Sequence, residues 1–155
     1  MPRLADLPEV QRNGLLTGPV PVNDGAPFTP LARPLSQCTL AVVTTAALHL
    51  RDDRPFSPGD TTCRIIPASA APSDIIQSHT SIGFDRAAQA RDINVVFPID
   101  RLRELVERGE LGGIAENHYS LLGAQQDSTR PATVSGAELA ERLLGEADVV
   151  LLTPT

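Results

Sequence analysis

The sequence predicts an α/β fold: one domain built on a mostly parallel sheet, with helices flanking it in a three-layer arrangement. Three observations carry this. A segment with apolar residues at helical spacing leads on to a short apolar strand twice, over 99–122 and over 135–152, the pattern of βαβ units whose parallel strands are covered on both faces. The remaining apolar runs are short and rich in β-branched residues, as buried strands are. Finally, 155 residues with 41% apolar and 21% charged content are enough for one core without disulfide staples.

Residues 1–37 hold seven of the fourteen prolines, at positions 2, 8, 19, 21, 27, 30 and 34, and show no sustained periodicity. Proline lacks a backbone donor and biases its predecessor toward extended geometry. The expectation is therefore a Pro-rich N-terminal arm or loop tract over 1–37, with the α/β domain over 38–155. Thr39–Thr45, Thr-Leu-Ala-Val-Val-Thr-Thr, reads as a buried strand. Arg51–Asp60 is dense in Asp, Pro and Gly and reads as a loop. Thr62–Ile66 and Asp74–Ser78 are two further short strands, and Ile93–Phe97 fits either a strand or the lead-in to a helix.

From Ile99, apolar residues recur at Leu102, Leu105 and Val106, one face of a helix with Gly109 or Gly112-Gly113 as its stop. Tyr119–Leu122 is a strand. Ser135, with Glu138 three residues on, has the spacing of a capping box opening a second helix. Leu139, Leu143 and Leu144 form the core face of that helix, Gly145 closes it, and Val149–Leu152 is the last strand.

Composition excludes several classes of function. A net charge of −6 opposes a nucleic-acid partner, which needs clustered positive charge. The thirteen cations are all arginine, so there is no lysine for a Schiff base or a phosphate-binding P-loop. No apolar run approaches the roughly 20 residues that span a bilayer, and no signal or transit pattern opens the chain. A soluble, cytoplasmic protein without a membrane partner is expected. Cys38 and Cys63 lie too far apart for a C-x-x-C motif.

The segment Ser78-His-Thr-Ser-Ile-Gly-Phe-Asp-Arg86 follows a predicted strand and gathers an imidazole, hydroxyls, a carboxylate and a guanidinium. It reads equally as a site beyond a strand end and as a turn in which Ser78, Thr80 and Asp85 bond the backbone. His49, His118, Thr44 and Thr45 stand near other strand ends. The three histidines lack zinc-ligand spacing, so no metal is expected. No dinucleotide fingerprint or serine-hydrolase elbow is present. A cysteine hydrolase pairing Cys38 with His49 or His118 has no support from spacing.

Six blocks taken together resemble one family. They are Cys38–Leu50, Arg54-Pro-Phe, Gly59–Pro67, Ser78–Asp85, Asp92–Leu105 and Val149–Pro154, in that order. They are similar to the selenoprotein B family of glycine, sarcosine, betaine and D-proline reductases, over about residues 38–155. The resemblance implies a reductase that cleaves a C–N bond of a small amine or amino-acid substrate, with a dithiol as electron source. It further implies a selenocysteine or cysteine of a U-x-x-C motif immediately after Thr155, so the chain itself contains no certain catalytic residue and no cofactor. A UGA codon read as a stop is the most economical account of an ending there. A pyruvoyl group on a partner reductase subunit is implied too, and a homo-oligomer is compatible.

Cys63 stands where the family has an aromatic residue and is no catalytic cysteine. The resemblance makes His79 and Asp85 the candidate site-lining residues, with His118 and Thr45 behind them, for carboxylate recognition or for proton delivery to the leaving amine. The alternative is a non-catalytic small-molecule-binding or assembly module that has lost the redox motif.

Overall fold

A computed structural model describes residues 3–18, 25, 29–81, 83–125 and 129–154. The chain divides into two compact units, Met1–Pro30 and Leu31–Thr155.

In the first unit, Glu9–Thr17 forms a helix, α1, where the sequence predicts only an irregular tract. The segment between Pro8 and Pro19 is free of proline. Pro8 leads into the helix with its fixed φ, and Glu9 sits in the first turn, where a carboxylate is favoured. At 100° per residue Val10, Leu15 and Leu16 fall on different sides of the helix, so no apolar stripe announced it. The prolines at 2, 19, 21 and 27 lie outside the described residues.

The second unit contains the strands β1 (Thr39–Thr44), β2 (Leu48–Leu50), β3 (Arg64–Pro67) and β4 (Ile75–Gln77), followed by the helices α2 (Arg86–Arg91) and α3 (Ile99–Glu107). After them come β5 (Gly113–Ile114), β6 (Asn117–Ser120), α4 (Gly136–Glu146) and β7 (Val149–Thr153). β1 is the axis of the main sheet. Along one edge it pairs in parallel first with β5, Leu40 opposite Ile114, and then with β6, Val43 opposite Tyr119. Along the other edge β7 runs parallel to it from Leu40↔Val149 to Thr44↔Thr153. β3 joins β6 antiparallel, so the sheet is mixed but mostly parallel, while β2 and β4 form a separate antiparallel pair.

Alternation along β1 sets the layers, because successive side chains point to opposite faces. Leu40 and Val42 pack with Val96, Phe97, Ile99 and Leu102 on the α3 side. Val43 packs with Tyr119 and Leu139 on the α4 side. The three-layer α/β expectation is met.

Helix α3 ends as its glycine predicts. Gly109 has φ +71°, its N–H donates to Val106 O, and that of Glu110 donates to Leu105 O, a Schellman closure that needs the left-handed conformation glycine adopts freely. Gly112 answers a close approach instead: a Cβ there would sit 2.8 Å from Cys38 N and Gln37 C. The start of β5 can lie alongside the start of β1 because that methyl is absent.

Other expectations need correction. Ser135 makes no cap bond; it has helical dihedrals at the end of a π-helical turn, Pro131–Ser135, that runs straight into α4. Pro131 opens this turn, so the helix begins before the serine. Leu144 is 85% exposed, leaving Leu139 and Leu143 as the packed face. Gly145 lies inside α4, which continues to Glu146. Ile93–Phe97 resolves into a short 3-10 turn, Ile93–Val95, whose Asn94 N–H donates to the Asp92 carboxylate. β2 and α2 were not predicted: the first is three residues long, and the second, Arg-Ala-Ala-Gln-Ala-Arg, has no apolar stripe. Among the described residues, no helix is long and apolar enough to cross a membrane.

Candidate functional site

β1, β6 and β7 are mutually parallel, so their carboxyl ends lie at one edge of the sheet, where α/β proteins gather ligands. Three adjoining clefts there share or border Ala124. One, of about 510 Å³, is lined by His79, Ser81, Phe84, Asp85, Val95 and Val96. A second, of about 490 Å³, is more polar, with Thr61, Thr80, Gln125 and Arg130 in its walls. The third, of about 260 Å³, contains Thr45 and Asp60. Ala124 has φ +54°, a left-handed conformation that costs a non-glycine residue about 1 kcal/mol and that concentrates at ligand-binding positions.

The wall carrying Val95 and Val96 is tied to the sheet by two hydroxyls. Thr44 Oγ1 at the end of β1 and Thr153 Oγ1 at the end of β7 both donate to the Val96 carbonyl, over 3.0 and 2.9 Å. The opposite wall follows β4. Ser78 N–H donates to Ala47 O, and Ser78 Oγ accepts from Phe56 N–H. Asp85 Oδ1 then accepts from Ala87 and Ala88 N–H to start α2. The turn reading and the site reading meet at Asp85, which bonds the backbone and borders the cleft, whereas Ser78 bonds the backbone without lining any of the three clefts.

His79 is 2% exposed. Its Nδ1 accepts the Ser81 N–H over 3.1 Å, which places the neutral ring's proton on Nε2. That Nε2 is buried and has no partner among the described residues. The ring stacks on Phe84, centroids 4.5 Å apart and planes 18° from parallel, and Arg86 donates to the His79 carbonyl. Burial first, and the Arg86 guanidinium second, hold the imidazole below its ordinary pKa. His79 is therefore a neutral imidazole bordering an apolar cleft, with a buried Nε2–H.

The structure brings His79 and Asp85 into one cleft and puts Thr45 in the neighbouring one. His118 lines none of the three. Fully buried in β6, it accepts the Val42 N–H at Nδ1 over 3.1 Å and meets Phe97 edge to face. Val42 lies where β1 passes from β5 to β6 and no residue is paired opposite it on that edge, so the imidazole stands in for a missing ladder carbonyl. Burial, then the charge of Arg103, pushes its pKa down to about 4, against a smaller upward pull from Glu146. His49 is buried beside Phe56, with Nδ1 2.7 Å from the Leu50 carbonyl.

A family model described as glycine/sarcosine/betaine reductase selenoprotein B matches residues 71–155. The chain belongs to this selenoprotein B family. Among curated relatives, D-proline reductase subunit gamma of Acetoanaerobium sticklandii is 35% identical over 136 residues, covering 86% of this chain and 55% of the relative. Sarcosine reductase complex component B subunit beta and betaine reductase complex component B subunit beta of Peptoclostridium acidaminophilum are 31% and 28% identical, each covering 88% of this chain and 32% of the relative. The chain thus spans about half the length of the first relative and a third of the others. No solved structure matches it.

In this selenoprotein B family member neither cysteine borders the clefts. Cys38 is buried before the amino end of β1, with Sγ donating toward the Arg33 and Pro34 carbonyls. The cleft lies at the other end of that strand, and both histidines of the hydrolase alternative have other partners. Cys63 is half-buried against Val43 and Tyr119. The sequence reading missed Val95, Phe84, Asp60 and Arg130 as cleft residues. Asp60 is held below the ordinary carboxylate pKa: burial raises it, but the Thr62 bonds and the Arg64 ion pair outweigh that. No sequence signal marks Arg130 or Val95, because they reach the clefts from elements remote in the chain.

Proposed function

We propose that this chain is the substrate-binding portion of a selenoprotein-B-type reductase. The complete enzyme cleaves the C–N bond of a small amine related to glycine, sarcosine, betaine or D-proline, and the two electrons come from a dithiol that becomes a disulfide. A selenocysteine or cysteine pair following Thr155, and a pyruvoyl group on a partner subunit, would supply the nucleophile and the amine activation. The residues of this chain bind and orient the substrate. One observation carries this reading: in a chain of this family, His79, whose buried Nε2 has no partner among the described residues, borders a cleft beyond the carboxyl ends of parallel strands. An unmet buried donor costs about 1–3 kcal/mol, and a ligand oxygen repays it.

His79 accordingly donates from Nε2 to a substrate carboxylate. Proton delivery to the leaving amine would need an imidazolium, which burial and Arg86 disfavour. Asp85 keeps Oδ2 without a partner among the described residues, Oδ1 taking both amide bonds, and that oxygen faces the task of holding a substrate ammonium.

The alternative is a binding module without redox chemistry. Calorimetric titration with glycine, sarcosine, betaine and D-proline tests the common part. At least one should bind, and His79→Phe, which keeps a ring against Phe84 but removes the donor, should weaken it roughly tenfold or more. No binding by any of the four contradicts both readings. Dithiol-dependent amine release by the chain assembled with its partner subunits then separates reductase from module.

A further inference from the structure

The His79 cleft has two unlike sides. His79 and Asp85 supply an N–H donor and a carboxylate, whereas Phe84, Ala88, Val95 and Val96 line it with carbon. Val95 is 62% exposed. A lone exposed valine is ordinary, but this one is held in place. It ends the 3-10 turn that Asp92 caps, and its neighbour Val96 receives the Thr44 and Thr153 hydroxyls. The isopropyl group is fixed and exposed at the cleft wall.

We propose that Val95 is a specificity-determining residue, making this site prefer amines that carry apolar carbon on nitrogen, N-alkylated or cyclic, over a primary amine such as glycine. The inference rests on the cleft being the amine-binding site. Its physics is transfer of apolar surface. Glycine has no group to cover Val95 or Val96, whereas an N-methyl group or a pyrrolidine ring removes both its own carbon and the valines from water. Each buried methylene is worth roughly fourfold in affinity. Three such carbons, as in a pyrrolidine ring, exceed tenfold even when partly covered. The carboxylate is common to every member of the series, whereas N–H donors toward Asp85 are lost stepwise from glycine through sarcosine and D-proline to betaine, which has none, so the apolar contribution must outweigh that loss.

The test is a calorimetric series of glycine, sarcosine, betaine and D-proline against the full chain and its Val95→Thr variant. Threonine keeps the β-branch and the shape while replacing a methyl by a hydroxyl, and at an exposed position it leaves the fold intact, which an unchanged melting temperature verifies. Expected is at least tenfold tighter binding of betaine or D-proline than of glycine in the wild-type chain. In Val95→Thr that ratio should fall roughly threefold or more. Equal binding of glycine and the alkylated amines overturns the inference and leaves the proposed function standing. A Val95→Thr effect of the same size on all four ligands also overturns it, since the residue would then not discriminate. Absence of binding by all four removes both the inference and the function on which it rests.

Discussion

His79 and His118 are each buried and each take a backbone N–H at Nδ1 over 3.1 Å, but the first stands beyond β4 at a cleft and the second stands inside the sheet. Each also keeps Nε2 without a partner among the described residues. The difference teaches that an orphaned imidazole nitrogen does not by itself mark a ligand site; what the ring does for the fold, and what space it borders, decide. His118 supplies the acceptor that β1 lacks between β5 and β6. The His79 ring bonds the Ser81 N–H of its own loop, and among the described residues nothing uses its donor.

The comparison breaks or holds first on stability. His118→Ala removes a packed ring and leaves the Val42 N–H buried without an acceptor, and is expected to cost about 4 kcal/mol. His79→Phe should cost about 1 kcal/mol, since the stack on Phe84 is retained and only the part-buried Ser81 N–H loses its acceptor. Denaturant melts of both variants check this, and equal losses would mean that the two rings play the same structural part.

Acid sharpens the contrast with a somewhat smaller effect. His118 has its folded pKa pushed from 6.5 to about 4, so protonation favours the unfolded chain. Its contribution is fully present above pH 6.5 and is lost as the pH falls toward about 4, by up to about 3 kcal/mol. Unfolding midpoints across that window should slope accordingly in the wild-type chain. The slope should flatten in His118→Phe, with His79, shifted in the same direction, contributing the remainder.

The fold was legible to the extent that one-dimensional pattern determines it. β1, α3 and β7 follow directly from apolar runs and spacing, and Gly109 ends α3 as its conformational freedom implies. Elements without a stripe, α1, α2 and β2, were silent because short segments are specified by caps and tertiary pairing rather than by periodicity. β6 begins at Asn117, two residues before the apolar-weighted reading, because a polar pair, Asn117-His118, pairs with β3 inside the sheet. At the site, the 78–86 segment was visible as a cluster of polar groups. The opposing wall was not, since Val95 and Ala124 reach it by way of the Thr44 and Thr153 bonds and a left-handed turn, neither of which leaves a motif. The family blocks pointed to His79 and Asp85, and both border one cleft.

The central claim is that the Nε2–H of His79 is the ligand-facing donor. Imidazole nitrogen NMR of the full chain during a D-proline titration tests it most directly. The account predicts that both rings show the Nε2–H tautomer before ligand is added, and that the His79 Nε2–H resonance then shifts in a saturable way while that of His118 stays fixed. A ligand that binds while His79 stays fixed, or that moves His118 as much as His79, would contradict it.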